Sequence, residues 1–443
     1  MPRIGSWWRT LWSGEPLERL SGAFSNRDGV LYVEGVSSLQ IARELGTPTY
    51  VTSEARIRAN YRRLFKAFSS LKKFRLYYAV KANSNLALLS ILRQEGAYAD
   101  CSSPAEIYEA TLAGFSPDKL LYTGNYITAE ELQYALEAGV TVNLDDAAMV
   151  RRIPPSSVPE IICLRINPGI GRGGREGLVF AGPDAKFGSS EEVAVEGLKE
   201  AKRIGIRRFG IHMMTGSNVL EPSYFPRITG LLMDIAGRMA SKVGLEYEFV
   251  NIGGGFGVPY APGEVELPIE QVAKDVVSVF KSKVDQYGLG DPVLAAEPGR
   301  FLVADSTILL SKVCHIKTET KVFVGIDAGM NTLVRPALYK AYHEVLAAGK
   351  LNAPKELTAN VCGQICENTD ILAKDRSLPR LEEGDILAIL NAGAYGFSMS
   401  SQYNNRPRAA EALVSGERLE LIRRREDISD LLRGQYVPPR LLR

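Results

Sequence analysis

A regular alternation of two kinds of segment, between about residues 48 and 300, constrains the fold of this chain more than any other feature. Short apolar, β-branched runs are separated by longer segments of helical periodicity, which predicts parallel strands joined by crossover helices. Eight or nine repeats over this length indicate a closed (β/α)8 barrel of TIM type rather than an open sheet. The predicted strands are 49–51, 75–80, 97–100, 119–122, 141–144, 161–166, 209–213, 247–252 and 293–297, and the predicted helices include 84–95, 104–113, 129–138, 191–204 and 222–243.

The pattern changes after Arg300 to strand-like runs bounded by turn residues, which predicts a second domain built on a β-sandwich or β-barrel. These runs are 307–315, 321–327, 359–363, 386–391 and 417–423. The run Leu31-Tyr32-Val33 near the start is also strand-like and is expected to join the same sheet. We therefore expect residues 1–45 to contribute to the β domain, residues 46–300 to form the barrel and residues 301–443 to form the β domain.

Charge and cysteine content narrow the class of function. The 53 basic and 51 acidic residues leave a formal charge of +2, which gives no electrostatic reason to expect nucleic acid or a membrane surface as a partner. Five cysteines without a paired Cys-x-x-Cys pattern suit a reducing compartment and predict no metal site. The segment containing Trp7, Trp8 and Trp12 lacks the apolar stretch of a signal peptide, and no later run is long enough to span a bilayer. We expect a cytoplasmic protein that acts on small molecules.

Lys81 lies where a predicted strand passes into a polar turn, in the run Tyr77-Tyr78-Ala79-Val80-Lys81-Ala82-Asn83. Barrels of this class place their active sites at such strand ends. A lysine stem packed in the strand would lower the basicity of the amine, because burial disfavours the ammonium form, and Schiff-base chemistry requires such an amine. The alternative is an ordinary surface lysine.

A glycine-rich run follows another predicted strand. Gly253, Gly254, Gly255 and Gly257 occupy four of five positions, so that backbone N–H groups there could approach a phosphate closely. The run lacks the Lys-Ser/Thr ending of a nucleotide P-loop and the spacing of a dinucleotide fingerprint, and an ordinary turn is the alternative. Ser217 follows Gly216 at a third strand end and offers a hydroxyl.

The motif Glu297-Pro298-Gly299-Arg300 closes the last predicted barrel strand. It places a carboxylate, a flexible amide and a guanidinium within four residues. A carboxylate bonded to a pyridine nitrogen keeps that nitrogen protonated, which makes the ring an electron sink. The alternative is a surface salt bridge beside a turn.

Seven motifs taken together resemble the diaminopimelate decarboxylase family, one of the fold-type III pyridoxal-phosphate decarboxylases. They occur in order from about residue 30 to residue 415, and their joint occurrence is more specific than any one of them. The motifs are Ala79-Val80-Lys81-Ala82-Asn83, Gly216-Ser217, the glycine run, Glu297-Pro298-Gly299-Arg300, Arg335-Pro336-Ala337-Leu338-Tyr339, Cys366-Glu367 and Gly393-Ala394-Tyr395-Gly396.

The resemblance implies pyridoxal 5′-phosphate as the cofactor. Lys81 would hold it covalently, and Glu297 would face the pyridine nitrogen. The groups implied around the phosphate are the amides of Gly253, Gly254 and Gly255, Ser217, the turn at Gly299 and Arg300, and the hydroxyl of Tyr395.

The resemblance also implies a substrate with a second amino-acid end, meso-diaminopimelate, which would be converted to L-lysine. Arg300 and Arg335 would clamp the distal carboxylate, while Tyr339 and Glu367 would complete the contacts at that end. Cys366 would return a proton to the carbon that lost carbon dioxide. Cys366 and Glu367 are expected to come from the partner subunit of a homodimer with shared active sites. The other four cysteines (Cys101, Cys163, Cys314 and Cys362) are expected to be small core residues.

Two departures from the family pattern concern the site. A histidine that commonly stacks on the cofactor ring, three residues before the phosphate-binding serine, is replaced by Met214, whose sulfur can still pack against an aromatic face. His212 should point to the same side as Met214 by strand alternation. We retain it as a cofactor-site candidate, with a satisfied core histidine as the alternative. The run Glu367-Asn368-Thr369-Asp370 stands where the family often has Glu-Ser-Gly-Asp.

Three alternative functions use related machinery. A decarboxylase of lysine, ornithine, arginine or a carrier-linked amino acid would share the cofactor but not the pocket. A regulatory homologue that binds the cofactor without catalysis is disfavoured by the presence of Lys81 and Cys366. Alanine-racemase-like chemistry uses a similar barrel but gives Cys366 and Glu367 no obvious role.

Overall fold

The computed structural model describes residues 23–169, 181, 182 and 184–442. The tryptophan-containing segment of residues 1–22 lies outside these ranges. The described residues fall into two compact units. The barrel unit contains those of 57–259 and 265–304, and the β unit contains those up to Arg56, those of 260–264 and those from Asp305 onward. The domain boundaries at 45/46 and 300/301 stay predictions.

The secondary structure alternates through the barrel unit as the sequence pattern predicts. The strands are β1 (Phe24–Arg27), β2 (Val30–Val33), β3 (Val36–Ser37), β4 (Thr49–Ser53), β5 (Phe74–Ala79), β6 (Tyr98–Cys101), β7 (Leu120–Tyr122), β8 (Thr141–Leu144), β9 (Ile161–Arg165), β10 (Arg208–His212), β11 (Phe249–Asn251), β12 (Val293–Ala296), β13 (Thr307–Thr318), β14 (Val322–Ile326), β15 (Val345–Ala347), β16 (Lys355–Cys362), β17 (Ile371–Pro379), β18 (Ile386–Ile389), β19 (Ala410–Ser415) and β20 (Arg418–Arg423). The helices are α1 (Ser38–Leu45), α2 (Glu54–Ala67), α3 (Leu86–Gln94), α4 (Pro104–Leu112), α5 (Ala129–Glu137), α6 (Glu191–Ile204), α7 (Tyr224–Val243), α8 (Ile269–Tyr287), α9 (Arg300–Val303), α10 (Arg335–Tyr339) and α11 (Ile428–Leu432).

The barrel unit is a closed ring of eight parallel strands in the order β10-β11-β12-β5-β6-β7-β8-β9. The predicted (β/α)8 barrel and the separate sheet domain are therefore confirmed. Side chains fill the barrel interior, where the ring of Phe249 lies against its cross-strand neighbour Gly210. A Cβ at Gly210 would come within 2.3 Å of that ring, so the interior is a packed core and function is left to the strand ends.

One predicted barrel strand is assigned to the wrong sheet. Thr49–Ser53, expected to begin the barrel, pairs antiparallel with β13 and parallel with β19 in the β unit. All five of its residues are buried. A strand buried on both faces has the continuous apolar character of a barrel strand, so the pattern alone does not distinguish the two locations.

The β unit is built on a nine-stranded sheet with the path β17-β16-β14-β13-β4-β19-β20, to which β15 and β18 attach through β13. The sequence pattern did not predict β17 or β19. Residues 410–412 are Ala-Glu-Ala, a composition that is depleted in strands. The strand containing Leu31 belongs to a separate three-stranded sheet, β1-β2-β3, and not to the large sheet as expected.

The cysteines divide between the core and more accessible positions. Cys101 and Cys163 are buried as predicted, and burial raises the pKa of both thiols well above the ordinary value. Cys314 and Cys362 are half-buried instead, while Cys366 is exposed. None of the helices in the described ranges combines the length and hydrophobicity of a membrane-spanning segment.

Helix caps fix the turns that follow the barrel strands. The Asn85 side chain accepts a hydrogen bond from the N–H of Ala87 and starts α3 four residues after Lys81. The Ser103 side chain starts α4 by accepting from the N–H of Glu106. These caps stop the strands at defined residues, so the polar groups of the turns are held at the carboxyl ends of the barrel strands.

Candidate active site

Lys81 lies in a single helical turn, Val80–Ala82, that follows β5. Its Nζ is 2.6 Å from Oδ2 of Asp100, which is fully buried at the end of the neighbouring strand β6. The strand register brings them together, because Ala79 of β5 pairs with Asp100. The Lys81 side chain is 42% exposed, so the structure places the amine in an ion pair and not in the apolar setting that the sequence suggested.

The Asp100 carboxylate links Lys81 to a second acid. Burial raises the pKa of Asp100, the charge of Glu297 raises it further, and the ion pair with Lys81 opposes both effects. Asp100 is therefore anionic at the expense of desolvation, and its negative charge favours an ammonium at Lys81 in the described structure.

Glu297 is a buried carboxylate that is held ionised. Its Oε1 accepts a hydrogen bond from Nδ2 of Asn251 at 2.7 Å, and its Oε2 lies 3.1 Å from Nε2 of His212. Burial raises the pKa of Glu297, but His212, Lys81 and Asn251 together outweigh burial and lower it to about 2. The carboxylate is thus prepared to accept a hydrogen bond from a protonated ring nitrogen.

The glycine run forms a tight loop that Asn251 fixes to this carboxylate. Oδ1 of Asn251 accepts from the N–H of Gly253 at 2.9 Å, so one amide side chain holds both the loop and Glu297. A Cβ at Gly253, Gly254 or Gly255 would lie 2.5, 2.4 or 2.8 Å from a backbone oxygen. Only glycine therefore fits at these positions, where backbone segments approach one another closely.

Ser217 lies beside the glycine loop. The N–H of Val219 donates to the carbonyl of Gly255 at 2.9 Å, which joins the two strand-end loops. Nη2 of Arg300 is 3.4 Å from Oγ of Ser217, and both side chains are buried. The adjacent Gly299 packs against the turn that carries Lys81, because a Cβ there would lie 3.0 Å from Cβ of Ala82.

His212 and Met214 contact different parts of this cluster. His212 is buried against Glu297, and its Nδ1 has no hydrogen-bond partner within the described ranges. The sulfur of Met214 is 3.2 Å from the N–H of Gly254. His212 is thus part of the network around the carboxylate, which the sequence did not predict.

The remaining predicted residues lie in the β unit. Arg335 is buried on α10, and Tyr339 ends the same helix half-buried. Cys366 is exposed, with its N–H bonded to Oδ1 of Asn404 at 2.8 Å, while Oε1 of Glu367 accepts from the Tyr403 hydroxyl at 3.1 Å. Tyr395 is half-buried and has a positive φ of 56°. Their meeting with the barrel cluster stays a prediction.

Comparison with known proteins identifies the family. Residues 54–304 match the family described as "Pyridoxal-dependent decarboxylase, pyridoxal binding domain". The chain is 47% identical to the diaminopimelate decarboxylase of Methanothermobacter thermautotrophicus, over 94% of this chain and 98% of that protein. The chain belongs to the diaminopimelate decarboxylase family. Identity to the Archaeoglobus fulgidus enzyme of that name is 41%, over 95% of this chain and 100% of the relative.

A solved structure agrees with this assignment. The crystal structure of the diaminopimelate decarboxylase from M. jannaschii superposes with a TM-score of 0.88 at 34% identity, covering 95% of this chain and 99% of that one. The same protein has been solved in complex with L-lysine. The chain is therefore a pyridoxal-phosphate-dependent carboxy-lyase, as the sequence motifs predicted.

The barrel cluster fits this cofactor. It supplies an amine for an aldehyde, an ionised buried carboxylate for a pyridinium nitrogen and a loop in which a side chain would meet backbone. The sequence analysis missed Asp100 and gave no role to Asn251. Asp100 is the last residue of the predicted strand 97–100, and a carboxylate at a barrel strand end was a signal that could have revealed it.

Proposed function

We propose that this chain decarboxylates meso-2,6-diaminopimelate to L-lysine and carbon dioxide. The observation that carries the chemistry is the buried, ionised Glu297, held by Asn251 and His212 at the same end of the barrel unit as Lys81. The substrate assignment is supported by the names of the full-length relatives, which are diaminopimelate decarboxylases. The lysine, ornithine or arginine alternatives gain no support from these relatives.

The barrel residues bind and orient the cofactor in this proposal. Lys81 would hold it covalently through Nζ, and Asp100 would orient that amine. The bound cofactor supplies a protonated aromatic ring that withdraws electrons from the bond to the departing carboxylate. Glu297 would keep the ring nitrogen protonated. The phosphate would be held by Gly253, Gly254, Gly255, Ser217, Gly299, Arg300 and Tyr395.

Charge complementarity explains the proposed substrate. Arg300 and Arg335 would receive the distal carboxylate as guanidinium forks, and Tyr339 and Glu367 would bind the same end of the molecule. A diamine with one carboxylate would present that carboxylate to the reacting position and leave the distal contacts unmade. Discrimination would follow, since unsatisfied buried charge opposes binding.

We also propose a cytoplasmic homodimer in which each active site uses both chains. The exposed position of Cys366 and Glu367 in one chain supports this arrangement, because side chains that complete a partner's site must lie at the surface of their own unit. The partner subunit's Cys366 would donate its thiol proton to the carbon that has lost the carboxylate. All five cysteines are free, as expected in a reducing compartment.

Two experiments test the proposal. Carbon dioxide release should be measured with the pyridoxal-phosphate-loaded protein on meso-diaminopimelate, L-lysine, L-ornithine and L-arginine in parallel. Release from meso-diaminopimelate alone is expected, and release from one of the other three alone would contradict the substrate assignment.

The shared site is tested by mixing two inactive variants, Lys81→Ala and Cys366→Ala. A mixed dimer of two-fold symmetry contains one site with both residues intact, so random subunit exchange should restore about a quarter of wild-type activity. No recovery after verified exchange would rule out sharing, while the substrate assay would remain valid on its own.

A further inference from the structure

Arg335 is a buried cation held by two neutral rings of the β unit. Its side chain is 4% exposed. Its Nη1 lies 2.9 Å from Nε2 of His343, and its Cζ lies 4.5 Å from the centroid of the Tyr260 ring. Neither ring neutralises the guanidinium charge, so these contacts fix where the charge points without compensating it.

The hydrogen bonds of His343 define its protonation state. This side chain is completely buried, and its Nδ1 is 2.8 Å from the carbonyl oxygen of Leu390. A carbonyl only accepts, so Nδ1 carries the proton. An arginine only donates, so Nε2 presents its lone pair to Arg335. His343 is therefore neutral and in one tautomer, assigned from its partners.

The second ring is held just as firmly. Tyr260 packs edge-on against His343, with ring centroids 5.3 Å apart and an interplanar angle of 79°. The loop carrying Tyr260 is pinned by Glu264, whose Oε2 accepts from the N–H groups of Tyr260 and Ala261 at 2.6 and 3.0 Å. Leu390, His343, Tyr260 and the 260–264 loop thus form a rigid support for one guanidinium.

We propose that His343 and Tyr260 are positioning residues that aim Arg335 at the distal carboxylate of the substrate. The inference rests on the proposed function, which assigns that carboxylate to Arg335. His343 acts through its Nε2 lone pair, which fixes one edge of the guanidinium fork and leaves the other donors for an incoming carboxylate. Tyr260 fixes the plane of the fork from below.

Two substitutions at His343 separate its two hydrogen bonds. In His343→Asn the short amide reaches the Leu390 carbonyl but not Arg335, whereas in His343→Gln the longer amide places an acceptor near Nε2. His343→Asn should raise the KM for meso-diaminopimelate by about tenfold, the effect of one lost charge-assisted hydrogen bond. It should weaken binding of L-lysine, which retains the distal carboxylate, by a similar factor in calorimetry. His343→Gln should stay within about twofold of wild type on both measures.

A double-mutant cycle distinguishes positioning from a general structural effect. In the Arg335→Gln background, His343→Asn should change neither KM nor L-lysine affinity further, because the group it positions is gone. A loss that persists in that background would overturn the proposal. So would wild-type values in His343→Asn, or equal damage in His343→Gln.

Tyr260 provides an independent pair if His343→Asn fails to fold, as judged by its thermal unfolding. Tyr260→Leu should raise the same KM severalfold, and Tyr260→Phe, which keeps the ring, should not. Equal KM values in these two variants would overturn the role of the ring. A wild-type protein that releases no carbon dioxide from meso-diaminopimelate would instead overturn the proposed function, so the two failures are distinguishable.

Discussion

Replacing Asn251 by alanine should damage both the stability of the barrel unit and its affinity for pyridoxal phosphate. One side chain makes two buried bonds, to Glu297 at 2.7 Å and from the N–H of Gly253 at 2.9 Å. The first is to an ionised group and corresponds to about 1.5–3 kcal/mol, and the second to about 0.5–1.5 kcal/mol. We therefore expect Asn251→Ala to lower the free energy of unfolding by roughly 2–4 kcal/mol.

The same substitution should alter the carboxylate and the loop. Glu297 would lose a donor that helps to lower its pKa, so its pKa should rise toward the ordinary value. Gly253 would lose its anchor, so the loop should bind the cofactor phosphate more weakly. Chemical denaturation of the apoprotein and absorbance titration with pyridoxal phosphate measure the two effects separately.

Asn143 offers a matched control in the same unit. It is also a buried asparagine of a barrel strand, but its side chain donates one neutral hydrogen bond, to Thr123 at 3.2 Å. Asn143→Ala should lower the unfolding free energy by only about 0.5–1.5 kcal/mol for that bond, and cofactor affinity should change little. If Asn251→Ala matches Asn143→Ala in both measurements, the bridging role of Asn251 is refuted.

Two further predictions concern the loop and a nearby acid. Gly254→Ala should abolish tight cofactor binding in the absorbance titration, because its Cβ would lie 2.4 Å from the Glu297 carbonyl oxygen; Gly230→Ala, where the nearest atom is 3.5 Å away, should not. Unaltered binding by Gly254→Ala would contradict the packing argument. Burial raises the pKa of Glu106 from 4.5 to about 7, so the folded state holds a proton that the unfolded state releases, and stability should fall as pH rises between these values. Denaturation midpoints across this range should be flatter for Glu106→Gln, and parallel profiles would count against the assignment.

The sequence alone predicted most of the architecture, because strand burial and helical periodicity are local properties. All eight barrel strands coincide with predicted runs, and α6 has the predicted limits of 191–204. The errors arose where partners are distant in the chain. Thr49–Ser53 is placed by β13 and β19, which lie more than 250 residues away, and no local pattern carries that information.

The sequence determined which chemical groups are available: an amine at Lys81, a carboxylate at Glu297 and glycines that permit close backbone approach. Only the tertiary structure decided which groups touch. Parallel strand register sets Asp100 against Lys81, and it sets Asn251 and His212 against Glu297. The physical reason is that ionisation and hydrogen bonding depend on distances of about 3 Å, and such distances between separate strands exist only once the barrel has closed.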